Sequence, residues 1–314
     1  MTLGDREPTP PNGAMAAGRR RATALRQWMG MTPRAFATAV GLPIACTIVI
    51  LATLVIAPAD ERWMIFWASL VAVASGLSAT AIGVYGGVLV PGLLLLGVYA
   101  RFAAAASLFL QVLVIPLGAG AHYRLGNVSR HVAVPLIVGG MAGAFVGPFF
   151  AAALPEDIIT RLVAGVIVGV GVLVLATLHW GGLGSVLPMD EVSQARIGGV
   201  GLTAGFASGV SGAGWGPIGV KLLILLRIEP RQAIGSSLVG RVFMAGAAVV
   251  GFVLSARMAD AIDIHYWLLI PMFAGSVAAM VPGAFMVSRL GREKATIGIT
   301  LLSIGLALPT LVWG

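Results

Sequence analysis

Apolar stretches of about twenty residues or more follow one another along nearly the whole chain, and this pattern limits the fold before any motif is read. In lipid every backbone N–H and C=O must be satisfied within the protein, so such stretches form helices. Single spans are read at 35–57, 103–121, 132–153, 160–179, 232–255, 265–287 and 295–313. Charge supports the reading. Asp, Glu, Lys and Arg make up 10% of the 314 residues, the mean hydropathy is +0.98, and Gly reaches 43. A soluble domain carries about 25% charged residues, so this composition excludes a soluble enzyme, a disordered hub and a secreted scaffold. The lone Cys46 forbids an intramolecular disulfide.

Two apolar stretches, 63–97 and 197–226, are too long for one crossing and are interrupted by small residues. The first holds Ser75-Gly76-Leu77-Ser78 and Gly83-Val84-Tyr85-Gly86-Gly87; the second runs from Ser208-Gly209-Val210-Ser211 through Gly212-Ala213-Gly214-Trp215-Gly216-Pro217. Helix propensity collapses at such clusters, so each stretch is expected to be a broken hairpin of two helical arms.

The clusters also expose an internal repeat. Ala74–Ser78 matches Ala207–Ser211 at a separation of 133, and Arg101 through Ser107 matches Arg231 through Ser237 at 130. Each copy is followed by three spans. A hairpin that returns to its starting side, followed by three crossings, places the second copy on the opposite side of the membrane, so inverted repeats are expected. The chain then divides into a basic tail (1–34), an extra helix and loop (35–62), repeat 1 (63–179), a linker (180–196) and repeat 2 (197–314). The tail, with Pro8, Pro10, Pro11, Arg19, Arg20 and Arg21, reads as disordered, with an interfacial stretch around Trp28. Ala57-Pro58-Ala59 resembles a cleavage site, but the run 35–57 is too long for a signal h-region, which favours an uncleaved span.

With the tail inside, the cytoplasmic segments hold 14 basic residues and the outer ones four (Arg62, Arg101, Arg161 and Arg257), while the 12 acids split evenly. That is the positive-inside pattern, and it accounts for most of the net charge of +8 without any nucleic-acid partner. It predicts a multi-pass inner-membrane protein with its N-terminus cytoplasmic and its C-terminus outside. Trp63, Trp67, Trp180, Trp267 and Trp313 lie at span ends, as an aromatic belt requires.

Two cations remain, Lys221 and Arg241, inside apolar segments that carry no acid. A cation in a span is costly and is expected to face a cavity or an anion. Lys221 lies six residues before Arg227 and can instead snorkel to the interface. Arg241, about ten residues into its helix, cannot do so easily. At the repeat register it corresponds to Gln111, with Ser107 matching Ser237 one turn earlier. Helices that restart after Gly83 and Gly212 present unpaired N–H groups, and glycine lets an oxyanion approach them. The site expected from these residues takes Arg241 as countercharge, with Ser208, Ser211, Ser236, Ser237 and the backbone of Gly212, Gly214 and Gly216 as donors. Gln111, Ser107, Ser75, Ser78 and Gly83 complete it, Lys221 is a second candidate cation, and Trp215 and Tyr85 gate or pack over the centre. Ser236 and Ser237 can alternatively bond back to helix carbonyls. For Gly139, Gly140 and Gly199 close helix packing is the simpler expectation.

Enzyme constellations are missing: His122, His131, His179 and His265 are scattered at span ends, and there is no Walker lysine pattern. No metal or cofactor is expected.

At these glycine clusters the chain resembles the TauE/SafE family of membrane anion exporters, over about residues 65–313. The second copy is close to the family pattern in Ser208-Gly209, Gly212–Pro217, Pro230 and Ala233 through Ser237. The first matches in Gly83, Gly86-Gly87, Val90-Pro91 and Ala104 through Ser107, and departs at Ser78-Ala79-Thr80-Ala81. The resemblance implies export of small sulfur oxyanions, sulfonates such as sulfoacetate, or sulfite. An importer of sulfate-like anions and a non-transporting, lipid-binding or assembly protein are the other readings. The expected partners are the bilayer, a small anion and, as an option, a second copy of the chain.

Overall fold

The structure is a computed structural model that describes residues 33–124, 126–179, 187, 191–259, 266–290 and 292–313. The expectations for the tail to residue 32, for Trp28, for most of the linker including Trp180, and for His265 lie outside these residues. Among the described residues the fold is all α, with 11 helices. They are α1 (Pro33–Ile56), α2 (Arg62–Ile82), α3 (Gly86–Leu95), α4 (Ala100–Arg124), α5 (Arg130–Ala152), α6 (Glu156–His179), α7 (Gln194–Ser211), α8 (Trp215–Leu225), α9 (Pro230–Ala259), α10 (Tyr266–Leu290) and α11 (Arg292–Trp313).

The chain divides into two compact units, Met1–Ala45 and Cys46–Gly314. Of the first, the described part is the opening of α1. The second contains two rounds of one element order: long arm, break, short arm, then three helices. α2 to α6 form one round and α7 to α11 the other. Five helices carry segments long and apolar enough to cross a membrane: Arg62–Thr80, Arg130–Ala152, Glu156–Ala176, Pro230–Ala256 and Glu293–Trp313. Shorter apolar segments occupy Val40–Ile56, Ala100–Pro116 and Trp267–Ala279 within α1, α4 and α10.

Both breaks differ from expectation in one respect. The Ser75–Ser78 and Ser208–Ser211 clusters are helical, and the chain leaves the helix at Gly83 and Gly212. Both glycines have positive φ, +79° and +69°, which an L side chain rarely adopts. Ser-Gly pairs in a packed helix cost propensity but keep every backbone bond, so they alone do not end it. The arms are therefore unequal: α2 has 21 residues against 10 in α3, and α7 has 18 against 11 in α8. At about 1.5 Å per residue the short arms extend only about half as far as a bilayer core is thick.

Small residues let the two rounds interlock. α5 packs on α7 and α2 on α10, so each round lends its first arm to a long helix of the other. Along α5 and α7 the contact is backbone on backbone. A Cβ on Gly139 would lie 2.1 Å from the Gly198 carbonyl, one on Gly143 2.2 Å from that of Leu202, and one on Gly205 2.2 Å from that of Gly140. This is the close packing expected at Gly139 and Gly140. Gly199 departs from it, because a Cβ there would meet open space. On α2 and α10, a Cβ on Gly76 would meet the Ser276 carbonyl at 2.3 Å.

Two apolar clusters flank α4. Tyr85, Leu89, Leu93, Leu110 and Ile159 belong to one, and Leu108, Leu136, Trp215, Leu223 and Met244 to the other. The outer surface is apolar: Val138 is 64% exposed, Val55 74% and Trp313 81%. Polar side chains of the helices instead point inward, with Ser107, Gln111, Ser211 and Ser276 fully buried. That inversion suits a lipid solvent and would be untenable in water.

Hydrogen bonds sort the loops into two groups. Arg101 donates to the Ala151 and Leu154 carbonyls and faces Glu156 at 3.7 Å, joining the α3–α4 turn to the α5–α6 turn. The α4–α5 turn is held by Ser236 Oγ, which accepts from the Ser129 N–H at 3.1 Å. His131 contacts the Val192 carbonyl at 3.1 Å, and the Leu187 N–H reaches the Arg227 carbonyl at 3.0 Å. Residues 127–131, Leu187, 191–194 and 227–236 therefore gather together, and they carry Arg130, Arg227 and Arg231.

Candidate functional site

The two breaks cross one another with the geometry of interlocked elbows. A Cβ on Gly86 would stand 2.0 Å from the carbonyl oxygen of Gly212, and one on Gly216 2.6 Å from that of Gly83. Each restart glycine thus lies against the break carbonyl of the other half, a contact that a side chain would forbid. Gly86 and Gly216 are separated by the same 130 residues as Gln111 and Arg241.

These two carbonyls end long helical arms and lack the intrahelical donors they would have in mid-helix. The third helix of each round supplies the donor to the opposite break. Arg241 on α9 donates from Nη1 to the Gly83 carbonyl at 2.7 Å. Gln111 on α4 donates from Nε2 to the Gly212 carbonyl at 3.1 Å, and Ser107 donates to the same oxygen at 2.9 Å. Gln111 and Arg241 then join: Arg241 Nε donates to Gln111 Oε1 at 2.7 Å. Gln111 Nε2 also reaches Ser107 Oγ at 2.9 Å. One continuous network therefore runs from one break to the other through the two residues matched by the repeat register.

Arg241 is 3% exposed and Gln111 is fully buried. Both acceptors of the guanidinium are neutral, and among the described residues no carboxylate lies within ion-pair distance of it. A desolvated positive charge served only by two neutral dipoles is suited to an anion whose oxygens can take their place on the planar guanidinium.

The serines divide by what they already bind. Ser78 Oγ reaches across the first break to the Val84 carbonyl at 2.6 Å, and Ser211 Oγ receives the Ala213 N–H across the second at 3.2 Å. Both fasten the loop shape. Ser75 bonds back to the Val71 carbonyl at 2.7 Å, as intramembrane serines commonly do. Ser236 is held at the Ser129 turn, and Ser237 offers its carbonyl to Trp215 Nε1 at 2.9 Å. Ser208 is different: its Oγ is buried with no hydrogen-bond partner among the described residues, and its backbone N lies 3.0 Å from where a Cβ on Gly214 would stand.

Trp215 and Tyr85 are both buried. The Trp215 indole fills space that Gly140 and Gly240 leave open, and Tyr85 hydroxyl meets Ser276 Oγ at 2.7 Å. They pack beside the crossing in this state. Lys221 is half-buried on α8 and is not among the groups bonded to Arg241. Of the expected residues, the structure therefore gathers Arg241, Gln111, Ser107, Gly83, Gly212 and Gly216. Gly214 and Trp215 adjoin them in the second break. It leaves Ser75, Ser236 and Lys221 outside the network and uses Ser78 and Ser211 as fasteners. Gly86 and Ser276 were not anticipated. Gly86 was within reach of the 130-residue register that paired Arg241 with Gln111; nothing in the sequence links Ser276 to Tyr85.

The profile of the sulfite exporter TauE/SafE family matches residues 68–309, and so covers both breaks and all of this network. The chain belongs to the TauE/SafE family. Relatives of this TauE/SafE chain include the probable membrane transporter protein YtnM of Bacillus subtilis (strain 168), 26% identical over 192 residues, which is 59% of this chain and 62% of that one. The probable membrane transporter protein YdhB of the same organism is 27% identical over 202 residues, 61% of this chain and 77% of its own. This chain thus spans less than two thirds of the length of YtnM. No solved structure matches this TauE/SafE sequence. Family and relatives alike are membrane transporters, and the inward-turned polar groups described above make this a multi-pass membrane protein.

Proposed function

We propose that this TauE/SafE transporter exports small sulfur-containing anions, a sulfonate or sulfite, from the cytoplasm across the inner membrane. The observation that carries the reading is Arg241: a buried guanidinium whose two acceptors, Gly83 O and Gln111 Oε1, are both neutral, at the crossing of two helix breaks. Sulfonate or sulfite oxygens take the place of Gly83 O and Gln111 Oε1 on the guanidinium. The unpaired N–H groups at the start of α8 supply further donors, and Ser208 Oγ supplies a hydroxyl. The two rounds of helices act as inverted repeats, and transport exchanges which break is open to which side.

The loop groups support one orientation. The cluster of residues 127–131, Leu187, 191–194 and 227–236, with its arginines, faces the cytoplasm, the N-terminus is inside and the C-terminus outside. Efflux of an anion is then favoured by an inside-negative potential at about 2.3 kcal/mol per charge per 100 mV. A carrier with no intramembrane carboxylate can use that gradient directly. Proteoliposomes loaded with radiolabelled sulfite, ethanesulfonate or sulfoacetate test the proposal. Saturable efflux of at least one, accelerated by a potential negative on the cytoplasmic side, is expected; failure of all three to move refutes it.

A further inference from the structure

A cavity adjoins the crossing on the side of α6 and α11. Its walls include Val166 and Val170 of α6 and Thr300 and Ser303 of α11, and its floor is formed by Val84 and Ala213, the residues that follow Gly83 and Gly212 in the two breaks. For the centre of a water-sized sphere its volume is about 20 Å³, enough for one or two groups the size of a methyl or methylene. The lining contains no charge. Its polar groups are two hydroxyls: Ser303 is turned back to the Ile299 carbonyl at 3.0 Å, whereas Thr300, 5% exposed, has no hydrogen-bond partner among the described residues.

We propose that this cavity is the subsite for the uncharged chain of an organic monoanion whose head is held at Arg241. Gly83, whose carbonyl accepts from Arg241, directly precedes Val84, which lines the cavity. The chemistry of the lining then sets the substrate class. A second carboxylate would be buried against valines with no cation to meet it, so dianions such as sulfoacetate are excluded. A chain of about two carbons fills the space, and longer chains overfill it. Thr300 is placed to bond a hydroxyl on that chain, which favours a hydroxyethyl over an ethyl sulfonate.

The inference rests on the anion reading given above, and two measurements keep the failures apart. In flux assays ethanesulfonate is expected to move about tenfold faster than butanesulfonate or sulfoacetate, and Val170→Phe to lower the ethanesulfonate-to-sulfite flux ratio about tenfold. Thr300→Val removes the advantage of 2-hydroxyethanesulfonate over ethanesulfonate. Equal rates for sulfoacetate and ethanesulfonate, or an unchanged ratio in Val170→Phe, overturn the subsite. The second measurement follows thiol labelling of Val170→Cys in a Cys46→Ser background, in purified protein. Ethanesulfonate at ten times its Kd should slow labelling about tenfold, and sulfite should not. Protection without flux of any anion supports the subsite and defeats the transport reading. Sulfite flux without protection defeats the subsite alone. Labelling already blocked by lipid in the absence of an anion also defeats it.

Discussion

Arg241 sits where an unpaired cation costs about 3 kcal/mol or more in a membrane helix, and two carbonyl-type acceptors offset only part of that. Its planar fork serves Gln111 and Gly83 together from Nε and Nη1. Lysine cannot, because a point charge lacks that geometry. Arg241→Lys is therefore expected to lose most anion flux, about as completely as Arg241→Ala, and initial efflux rates of the two variants check this. Ser208 gives a prediction of opposite sign for stability. Its unpartnered buried hydroxyl costs about 1–3 kcal/mol of desolvation, so Ser208→Ala should leave the melting temperature unchanged or raised while weakening anion binding. A thermal-shift series with and without sulfite reads both. Arg241 was legible in the sequence because its charge stands alone in an apolar run. Ser208 was legible as a candidate but not as the unpartnered one, since a serine's partner depends on neighbours from other helices.

At the scale of elements, the short arms end alike in the two halves. After α3 the chain turns through Gly97 at φ +79°, with the Val98 N–H on the Leu93 carbonyl at 3.1 Å. After α8 the same turn is made by Arg227 at φ +64°, with the Ile228 N–H on the Leu223 carbonyl at 3.2 Å. A left-handed C′ position suits glycine and strains arginine by about 1 kcal/mol. Arg227→Gly should accordingly raise the melting temperature, and Gly97→Ala should lower it, as calorimetry in detergent would record. The α5–α7 contact is less forgiving. A Gly205 side chain has only the Gly140 backbone to meet, at 2.2 Å, so Gly205→Val should prevent normal accumulation of folded protein. The helices among the described residues and the existence of two breaks were readable from apolar run lengths and repeated glycines. The chain leaves the helix at Gly83 and Gly212, the glycines after which the sequence places the restarts, while the serine clusters before them stay helical. The serine motifs keep a separation of 133 and the breaks one of 129, so α2 carries one additional turn before its break.

Across the whole molecule, two rounds of the same elements exchange arms and share one buried network, α4 holding the break of the second half and α9 that of the first. The difference in charge lies in a single exchange, glutamine in one round and arginine in the other, and it gives the crossing one positive charge. That pairing was already visible from the repeat register. The hydrogen bonds that make it a bridge between breaks were not, because they join residues 101 and 158 positions apart. The most direct test is the current evoked by a sulfite or ethanesulfonate concentration jump on proteoliposomes adsorbed to a solid-supported membrane. Wild-type protein should give a saturable transient of the sign of moving anions, and Arg241→Gln, folded to the same melting profile, should give none. An undiminished current in Arg241→Gln would contradict the assignment of Arg241 as the group that carries the anion.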